Sequence, residues 1–291
     1  MKTPRFEYHA PDTLEEALGL LAEHGDEARI LAGGQSLIPL MAMRLARPEQ
    51  LVDLNRVASL RDIDVRGSTV ALGAMCRDRQ AERSVLVRER APLLADALPL
   101  VGHVAIRNRG TVGGSLAHAD PSAELPAVAV TLDAELGVAS ARGERTVSAH
   151  EFFLGHFSTA LAADECLVEV RFPSAAPGCG WSFQEVARRH GDFALAGVAA
   201  MVDLDGEGSV REARIALLGM APTPLRARKA EASLVGAPTT AATFAAAAAE
   251  ATSDLEPASD VHGSAAFRRH LAAVTVRRAL TTAAERAGAA T

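Results

Sequence analysis

Apolar and polar residues follow helical spacing near the start of the chain. Thr13 and Glu16 have the spacing of a capping box, and the apolar positions that follow share one helix face. Gly25 can end this helix. Two short apolar runs, 29–32 and 51–54, then predict strands. Helix, strand, glycine turn, helix and strand together predict a small α/β unit.

The middle of the chain mixes strand and helix patterns. Alternation over 63–72 around a central glycine predicts a hairpin, and the Leu- and Ala-rich segment after it predicts helix. Residues 132–138 and 165–172 predict further strands. Prolines and glycines between 173 and 180 form the best candidate linker, so we place a domain boundary near residue 175.

The last part of the chain predicts a sheet followed by helices. Residues 181–187, 196–204 and 210–218 have the pattern of three antiparallel strands, the last two joined by a glycine-containing turn. Alanine-rich segments at 241–251 and 265–287 keep an apolar face and predict helices. The fold class is therefore α+β.

Composition narrows the functional classes. The chain has 291 residues, and its net charge of -6 and pI near 5.9 provide no basic field, so nucleic acid is not an expected partner. No stretch approaches the roughly 20 apolar residues of a transmembrane helix, and the polar start favours a cytoplasmic location. Cys76, Cys166 and Cys179 are too widely spaced for a disulfide framework or a metal site, so redox chemistry would need an organic cofactor.

A diglycine segment, here called the first loop, is the sharper chemical signal. Adjacent glycines can take positive φ, approach a ligand closely and turn their N–H groups into a concavity, and the helix start that follows adds positive potential. This chemistry suits a pyrophosphate. The alternative is that the glycines only close a strand-to-helix turn. The first loop consists of Ala32, Gly33, Gly34, Gln35, Ser36 and Leu37.

A second diglycine segment, the second loop, repeats this chemistry. It consists of Thr111, Val112, Gly113, Gly114 and Ser115. Because a dinucleotide carries two phosphates and a long polar chain, two facing loops can divide the contacts. Asp120 or Glu124 could accept hydrogen bonds from sugar hydroxyls, or could belong to a helix start with Asp120 as its cap.

Other nucleotide and hydrolase motifs fit less well. Neither loop is G-x-G-x-x-G or G-x-x-x-x-G-K-[ST], so a Rossmann site or an NTPase is not predicted. Residues 113–117 are one residue away from a G-x-S-x-G nucleophile elbow, which keeps a serine hydrolase as an alternative, although polar residues and not a strand precede it. His118 is interpreted as structural, and no catalytic residue or metal ligand is predicted.

Together the two loops resemble the FAD-binding medium subunit of molybdenum hydroxylases, the family of carbon monoxide dehydrogenase medium chains and the flavin domain of xanthine dehydrogenase. The resemblance rests on 32–37 with 44–48 and 51–55, and on 106–121, and it covers essentially the whole chain. It implies a PCMH-type FAD-binding fold of two α/β subdomains, followed by a smaller α+β domain with a three-stranded antiparallel sheet and helices. The predicted domains are 1–175, with subdomains of about 1–56 and 57–175, and 176–291.

The resemblance also implies individual site residues. The first loop and the second loop would hold the FAD pyrophosphate and the adjoining chain, and Glu124 falls where the family usually has an acid. A backbone group of Leu167 would meet the flavin ring. Phe193 would be a ring contact, or alternatively an ordinary core aromatic. Gln184 stands where xanthine dehydrogenases have a lysine, which weakens the case for NAD as acceptor.

Partners follow from the same resemblance. FAD is expected in this chain, with a molybdopterin cofactor on a large partner subunit and [2Fe-2S] clusters on a small one, in a dimer of heterotrimers. This oxidoreductase subunit would pass electrons from the clusters to an external acceptor and would not act alone; a stand-alone FAD oxidase is the alternative. The complex is expected in the cytoplasm, or peripheral to the membrane. The substrate and the acceptor leave no trace in this sequence.

Overall fold

A three-stranded parallel sheet forms the start of the fold in the computed structural model, which describes residues 2–289. The strands lie in the order β1-β3-β2, with β3 pairing both neighbours. Thr13 and Glu16 complete the expected capping box, and Gly25 ends the first helix with φ +48°. The elements are β1 (Glu7–His9), α1 (Leu14–His24), β2 (Ala28–Leu31), α2 (Leu37–Ala42) and β3 (Gln50–Asp53).

A five-stranded antiparallel sheet forms the middle of the molecule, in the order β4-β5-β10-β6-β7. A two-stranded hairpin of β8 and β9 lies beside it. The expected turn at Gly67 joins β4 to β5. The strands are β4 (Ile63–Arg66), β5 (Thr69–Gly73), β6 (Glu135–Ser140), β7 (Gly143–Ser148), β8 (Phe153–Gly155), β9 (Ser158–Thr159) and β10 (Cys166–Pro173).

Helices cover this second sheet. The segment expected to be helical up to about residue 101 is a series of short helices, because Ser84 caps one and Pro92 begins the next. Their apolar faces and the sheet share one core that includes Phe152 and Phe172. The helices are α3 (Asp78–Arg83), α4 (Val85–Arg90), α5 (Pro92–Ala97), α6 (Val104–Arg107), α7 (Val112–His118), α8 (Glu124–Thr131) and α9 (Ala149–Phe152).

The last part is an antiparallel sheet in the order β11-β12-β13-β14, packed against helices. Three of its strands match the predicted segments, and the fourth adds two residues. The long helix α12 packs on β11 and β12 and shares a second core with α10 and α11. The elements are β11 (Gly180–Val186), β12 (Ala196–Leu204), β13 (Val210–Leu218), β14 (Leu225–Arg226), α10 (Arg228–Leu234), α11 (Ala241–Thr252) and α12 (Ala265–Ala289).

Two sequence expectations were wrong in position. The alternative that placed a helix start with Asp120 as its cap is wrong in position: the helix begins at Glu124, because the Asp120 carboxylate accepts from the N–H of Ser122 at 2.9 Å and forms a local turn. The strand expected from Leu132 begins at Glu135, since Asp133 adopts a left-handed φ of +51°. The domain boundaries stay a prediction. No helix within residues 2–289 is long and apolar enough to cross a membrane.

Candidate functional site

The first loop and the second loop, far apart in sequence, meet in the structure. A Cβ on Gly33 would lie 2.3 Å from the carbonyl oxygen of Arg109 and 2.7 Å from Cα of Gly110. A Cβ on Gly114 would lie 3.5 Å from that of Ala32. Only glycine permits the approach at residue 33, because any side chain would overlap with backbone that cannot rotate away. The structure thus brings together the two segments singled out from the sequence.

Two carbonyl groups of the first loop accept hydrogen bonds from side chains of the protein. The Ala32 carbonyl accepts from the Asn55 side-chain amide at 2.9 Å, and the Gly33 carbonyl accepts from the Gln35 amide at 2.9 Å. Gly34 takes the left-handed φ of +72° that the diglycine predicted. In a trans peptide the C=O and the N–H point in opposite directions. The N–H groups of Gly33 and Gly34 therefore point away from the groups that bind these carbonyls.

The first loop is a set of available donors. The N–H groups of Gly33, Gly34, Gln35 and Ser36 donate to no acceptor in the part of the chain that the structure describes. Ser36 precedes α2, and its hydroxyl makes no capping hydrogen bond. Main-chain donors grouped in this way suit an anion with several oxygen atoms. Leu37, the last residue of the first loop, is the first residue of α2.

Four of the five N–H groups of the second loop are already engaged, which differs from the expectation that both loops offer amides. This loop can instead contribute close backbone approach at its glycines and hydroxyl groups from Thr111 and Ser115. Thr111 caps α7. The engaged donors are Val112 to the Cys76 carbonyl, Gly113 to the Ala74 carbonyl, Gly114 to the Thr111 hydroxyl and Ser115 to the Thr111 carbonyl, all at 3.0 Å.

Two expected flavin-ring contacts lie on different elements. Leu167 is buried on β10, where the pairing with β6 is irregular. The carbonyl of the next residue, Val168, accepts a hydrogen bond from the N–H of Ala74 at 2.8 Å. Ala74 in turn packs against Gly113 of the second loop. Phe193 is 57% exposed, so the core-aromatic alternative is wrong. The adjoining Gly191 lies against the ring of His103, just before α6.

Two buried acids, Asp78 and Glu124, and the half-buried Glu185 have raised pKa values and influence one another. Burial raises the pKa of Glu124 to about 7, and Asp120 adds to the rise. Burial and the charge of Glu124 also raise the pKa of Asp78 to about 7 and that of Glu185 to about 8. One Asp78 oxygen would lie 2.3 Å from a Cβ on Gly110. Of these acids, the sequence singled out only Glu124.

The structure does not support the hydrolase alternative. Ser115 lies inside α7, while a nucleophile elbow needs its serine on a sharp turn between strand and helix. Burial lowers the pKa of His118, and its ring lies 5.0 Å from that of Phe157. Among residues 2–289, no group of three or more His, Cys, Asp or Glu side chains is placed to hold a metal ion.

Sequence reasoning missed two residues that hold the loops. Asn55 lies two residues after β3 and reaches the first loop through its amide. Arg77 donates to the carbonyl of Arg109 and, at 2.5 Å, to the side-chain oxygen of Asn55. A polar residue after a strand, close to a diglycine turn, is a signal that could have found Asn55. No periodicity marks Arg77.

Comparison with known proteins defines the class that this fold and site represent. Residues 4–175 match the family model described as the FAD binding domain in molybdopterin dehydrogenase, and residues 181–283 match the CO dehydrogenase flavoprotein C-terminal domain. The chain belongs to the family of FAD-binding medium subunits of the molybdenum hydroxylases, as an FAD-containing oxidoreductase subunit.

Individual relatives match along their whole length. The chain is 43% identical to the 6-hydroxypseudooxynicotine dehydrogenase complex subunit alpha of Paenarthrobacter nicotinovorans, over 99% of this chain and 97% of the relative. It is 42% identical to the carbon monoxide dehydrogenase medium chain of Hydrogenophaga pseudoflava, over 97% and 98%. A solved structure of carbon monoxide dehydrogenase from that organism, lacking the Mo-pyranopterin moiety, superimposes with a TM-score of 0.96 at 44% identity, over 98% and 99%.

The donor set of the site fits an FAD diphosphate. The first loop offers main-chain N–H groups that have no acceptor within residues 2–289, and neither loop contains an acidic residue that would repel a phosphate. The glycines allow a flat ligand edge to approach the backbone. The chemistry of the residues present is therefore consistent with the cofactor of the family.

Proposed function

We propose that this chain holds FAD between the first loop and the second loop and passes electrons from the [2Fe-2S] clusters of a partner subunit to an external acceptor. FAD, when bound, can accept electrons singly and release them in pairs. The observation that carries the proposal is the direct contact between the two loops, with N–H donors on one of them that have no acceptor among residues 2–289.

The residues of the chain have separate roles in this proposal. Ala32 to Leu37 supply N–H donors and a hydroxyl to the diphosphate, and Thr111 to Ser115 supply close approach and hydroxyl donors. Asp120 and Glu124 are the candidates for the sugar hydroxyls; a Glu124 with a pKa of about 7 can accept such a bond when ionised and donate one when protonated. A backbone group of Leu167 and the exposed ring of Phe193 would meet the flavin ring.

The assembly is a second part of the proposal. The chain would bind a molybdopterin-containing large subunit and a small [2Fe-2S] subunit, in a dimer of heterotrimers located in the cytoplasm or peripheral to the membrane. The division into 1–175 and 176–291 belongs to the same proposal. Relatives are named for substrates as different as carbon monoxide and 6-hydroxypseudooxynicotine, so this type of subunit serves complexes with different substrates across the family.

Co-expression with the neighbouring genes tests the assembly and the electron path. We expect a tagged chain to purify with a large and a small partner, and we expect substrate to reduce the flavin in that complex. Absorbance of the flavin band after anaerobic mixing with substrate measures the transfer.

The purified chain alone is the control. We expect it to bind FAD and to leave the flavin oxidised when the substrate of the complex is added. Full substrate turnover by the single chain would contradict the electron-transfer role and favour the stand-alone oxidase.

A further inference from the structure

Arg77 lies where the two glycine loops meet. Its backbone pairs with that of Thr111, and the neighbouring residues continue the pairing, with the N–H of Asp78 donating to the Gly110 carbonyl at 3.1 Å. Its side chain leaves this pairing and reaches toward the first loop. Arg77 thus contacts the second loop through its backbone, and its guanidinium is linked to the first loop through Asn55.

The guanidinium has two separate partners. It donates to the carbonyl of Arg109, two residues before the second loop, and at 2.5 Å to the side-chain oxygen of Asn55. Asn55 then donates from its nitrogen to the Ala32 carbonyl at 2.9 Å. A planar guanidinium fork can hold two acceptors at fixed directions, which an ammonium group does less well.

These contacts fix the orientation of two peptide groups. Holding the Ala32 carbonyl turns the N–H of Gly33 to the opposite side, because the peptide is trans and planar. Holding the Arg109 carbonyl keeps it against Gly33, where a Cβ would lie 2.3 Å away. A rotation of either peptide would therefore close the donor face of the first loop or separate the two loops.

Asn55 is itself held firmly. Its backbone N–H and its side-chain nitrogen both donate to one Asp53 oxygen, at 2.8 and 2.5 Å. The other Asp53 oxygen accepts from the Tyr8 hydroxyl at 2.6 Å, and Arg61 donates to the Asn55 carbonyl. The amide of Asn55 is thus a rigid link between Arg77 and the first loop.

We propose that Arg77, acting through Asn55, is a positioning residue that orients the Ala32–Gly33 and Arg109–Gly110 peptides so that the first loop presents its N–H groups to the FAD diphosphate. This inference rests on the proposed function. It assigns Arg77 no contact with the cofactor.

Substitutions in the full chain test this positioning role by titration with FAD, followed by flavin fluorescence. We expect R77A and N55A each to raise the Kd for FAD by about 10- to 100-fold, the range for losing hydrogen bonds to a charged group. In the double variant R77A/N55A the loss of affinity should be less than the sum of the two single losses, since both substitutions remove the same Arg77–Asn55 hydrogen bond.

Two conservative variants separate orientation from charge. R77K keeps the cation but loses the fork, and N55D keeps an acceptor for Arg77 but loses the donor to the Ala32 carbonyl. We expect both to bind FAD weakly and to change the visible circular dichroism of any flavin that binds. R83A, which removes an exposed cation from helix α3 directly after Arg77, should leave the Kd unchanged. Thermal unfolding of the apoproteins identifies a variant that has simply lost its fold.

Three results would overturn the inference: R77A binding FAD within about twofold of wild type, full rescue by R77K, or additive losses in the double variant. Each leaves the proposed function intact if the wild-type chain still binds FAD. A wild-type chain that takes up no FAD would overturn the proposed function and this inference together.

Discussion

At the scale of single residues, the buried acids make the free energy of unfolding depend on pH. Asp78 is almost fully buried, and one of its oxygens has no hydrogen-bond partner in the described part of the chain, residues 2–289. Burial and the charge of Glu124 raise the pKa of Asp78 to about 7. An acid whose pKa is raised on folding binds more protons in the native state than in the unfolded state. Stability therefore falls as the pH rises from about 4 to about 7 and then levels off.

We expect Asp78→Asn to remove much of this fall. The variant should be more stable than wild type above pH 7, by at most about 4 kcal/mol, because a one-unit pKa shift corresponds to about 1.4 kcal/mol. Urea unfolding of the apoprotein between pH 5 and about pH 8 measures the effect, and Glu144→Gln at an exposed site is the control. An unchanged pH profile in Asp78→Asn would contradict this assignment.

At the scale of elements, two helices begin with threonine caps of different consequence. Thr13 caps α1, away from the glycine loops, and Thr111 caps α7 by accepting from the N–H of Gly114 at 3.0 Å. Loss of such a cap costs about 1 kcal/mol. Only the second cap also fixes a residue of the proposed site.

We therefore expect Thr13→Ala and Thr111→Ala to lower the free energy of unfolding by about 1 kcal/mol each, with weaker FAD binding in Thr111→Ala alone. Thr111→Ser keeps the hydroxyl and should restore both properties. Denaturant unfolding and FAD titration on the same samples measure them. Equal FAD affinity in all three variants would show that the capping hydrogen bond of α7 does not affect FAD binding.

Local chemistry explains which elements could be predicted from sequence. The capping box at Thr13 and the turn at Gly67 depend only on nearby residues, and both were correct. The two-residue strand β14 has no alternation to reveal it and forms only because β13 lies beside it. The contact between Gly33 and Arg109 is likewise tertiary. Whether a loop N–H is free depends on carbonyls such as that of Ala74, which no local pattern places nearby.

At the scale of the whole molecule, hydrogen bonds of Arg226 connect the last sheet to the FAD-binding part. Its guanidinium binds Glu231 at 2.6 Å and reaches across to the Val130 carbonyl at 3.0 Å and to Asp133 at 2.9 Å. Both Arg226 and Glu231 have buried side chains. Removing one partner of a buried ion pair leaves an uncompensated charge.

We expect Arg226→Ala to lower the free energy of unfolding by about 3 to 5 kcal/mol. Arg211→Ala is the matched control, because Arg211 is exposed and pairs with Asp203 on the same sheet; its stability should barely change. Calorimetry of the full chain measures both. Similar losses of unfolding free energy in the two variants would contradict the role of Arg226 in connecting the two parts.

Binding of FAD by the purified chain tests the central claim most directly. The wild-type chain is compared with Gly33→Val. Gly206→Val is the control, because a Cβ on Gly206 would meet no atom within 4 Å. We predict flavin absorbance and one FAD per chain in wild type and in Gly206→Val, and loss of FAD with a retained fold in Gly33→Val, where the new side chain would overlap with the Arg109 carbonyl. Colourless wild-type protein that takes up no added FAD, or full occupancy in Gly33→Val, would contradict the account.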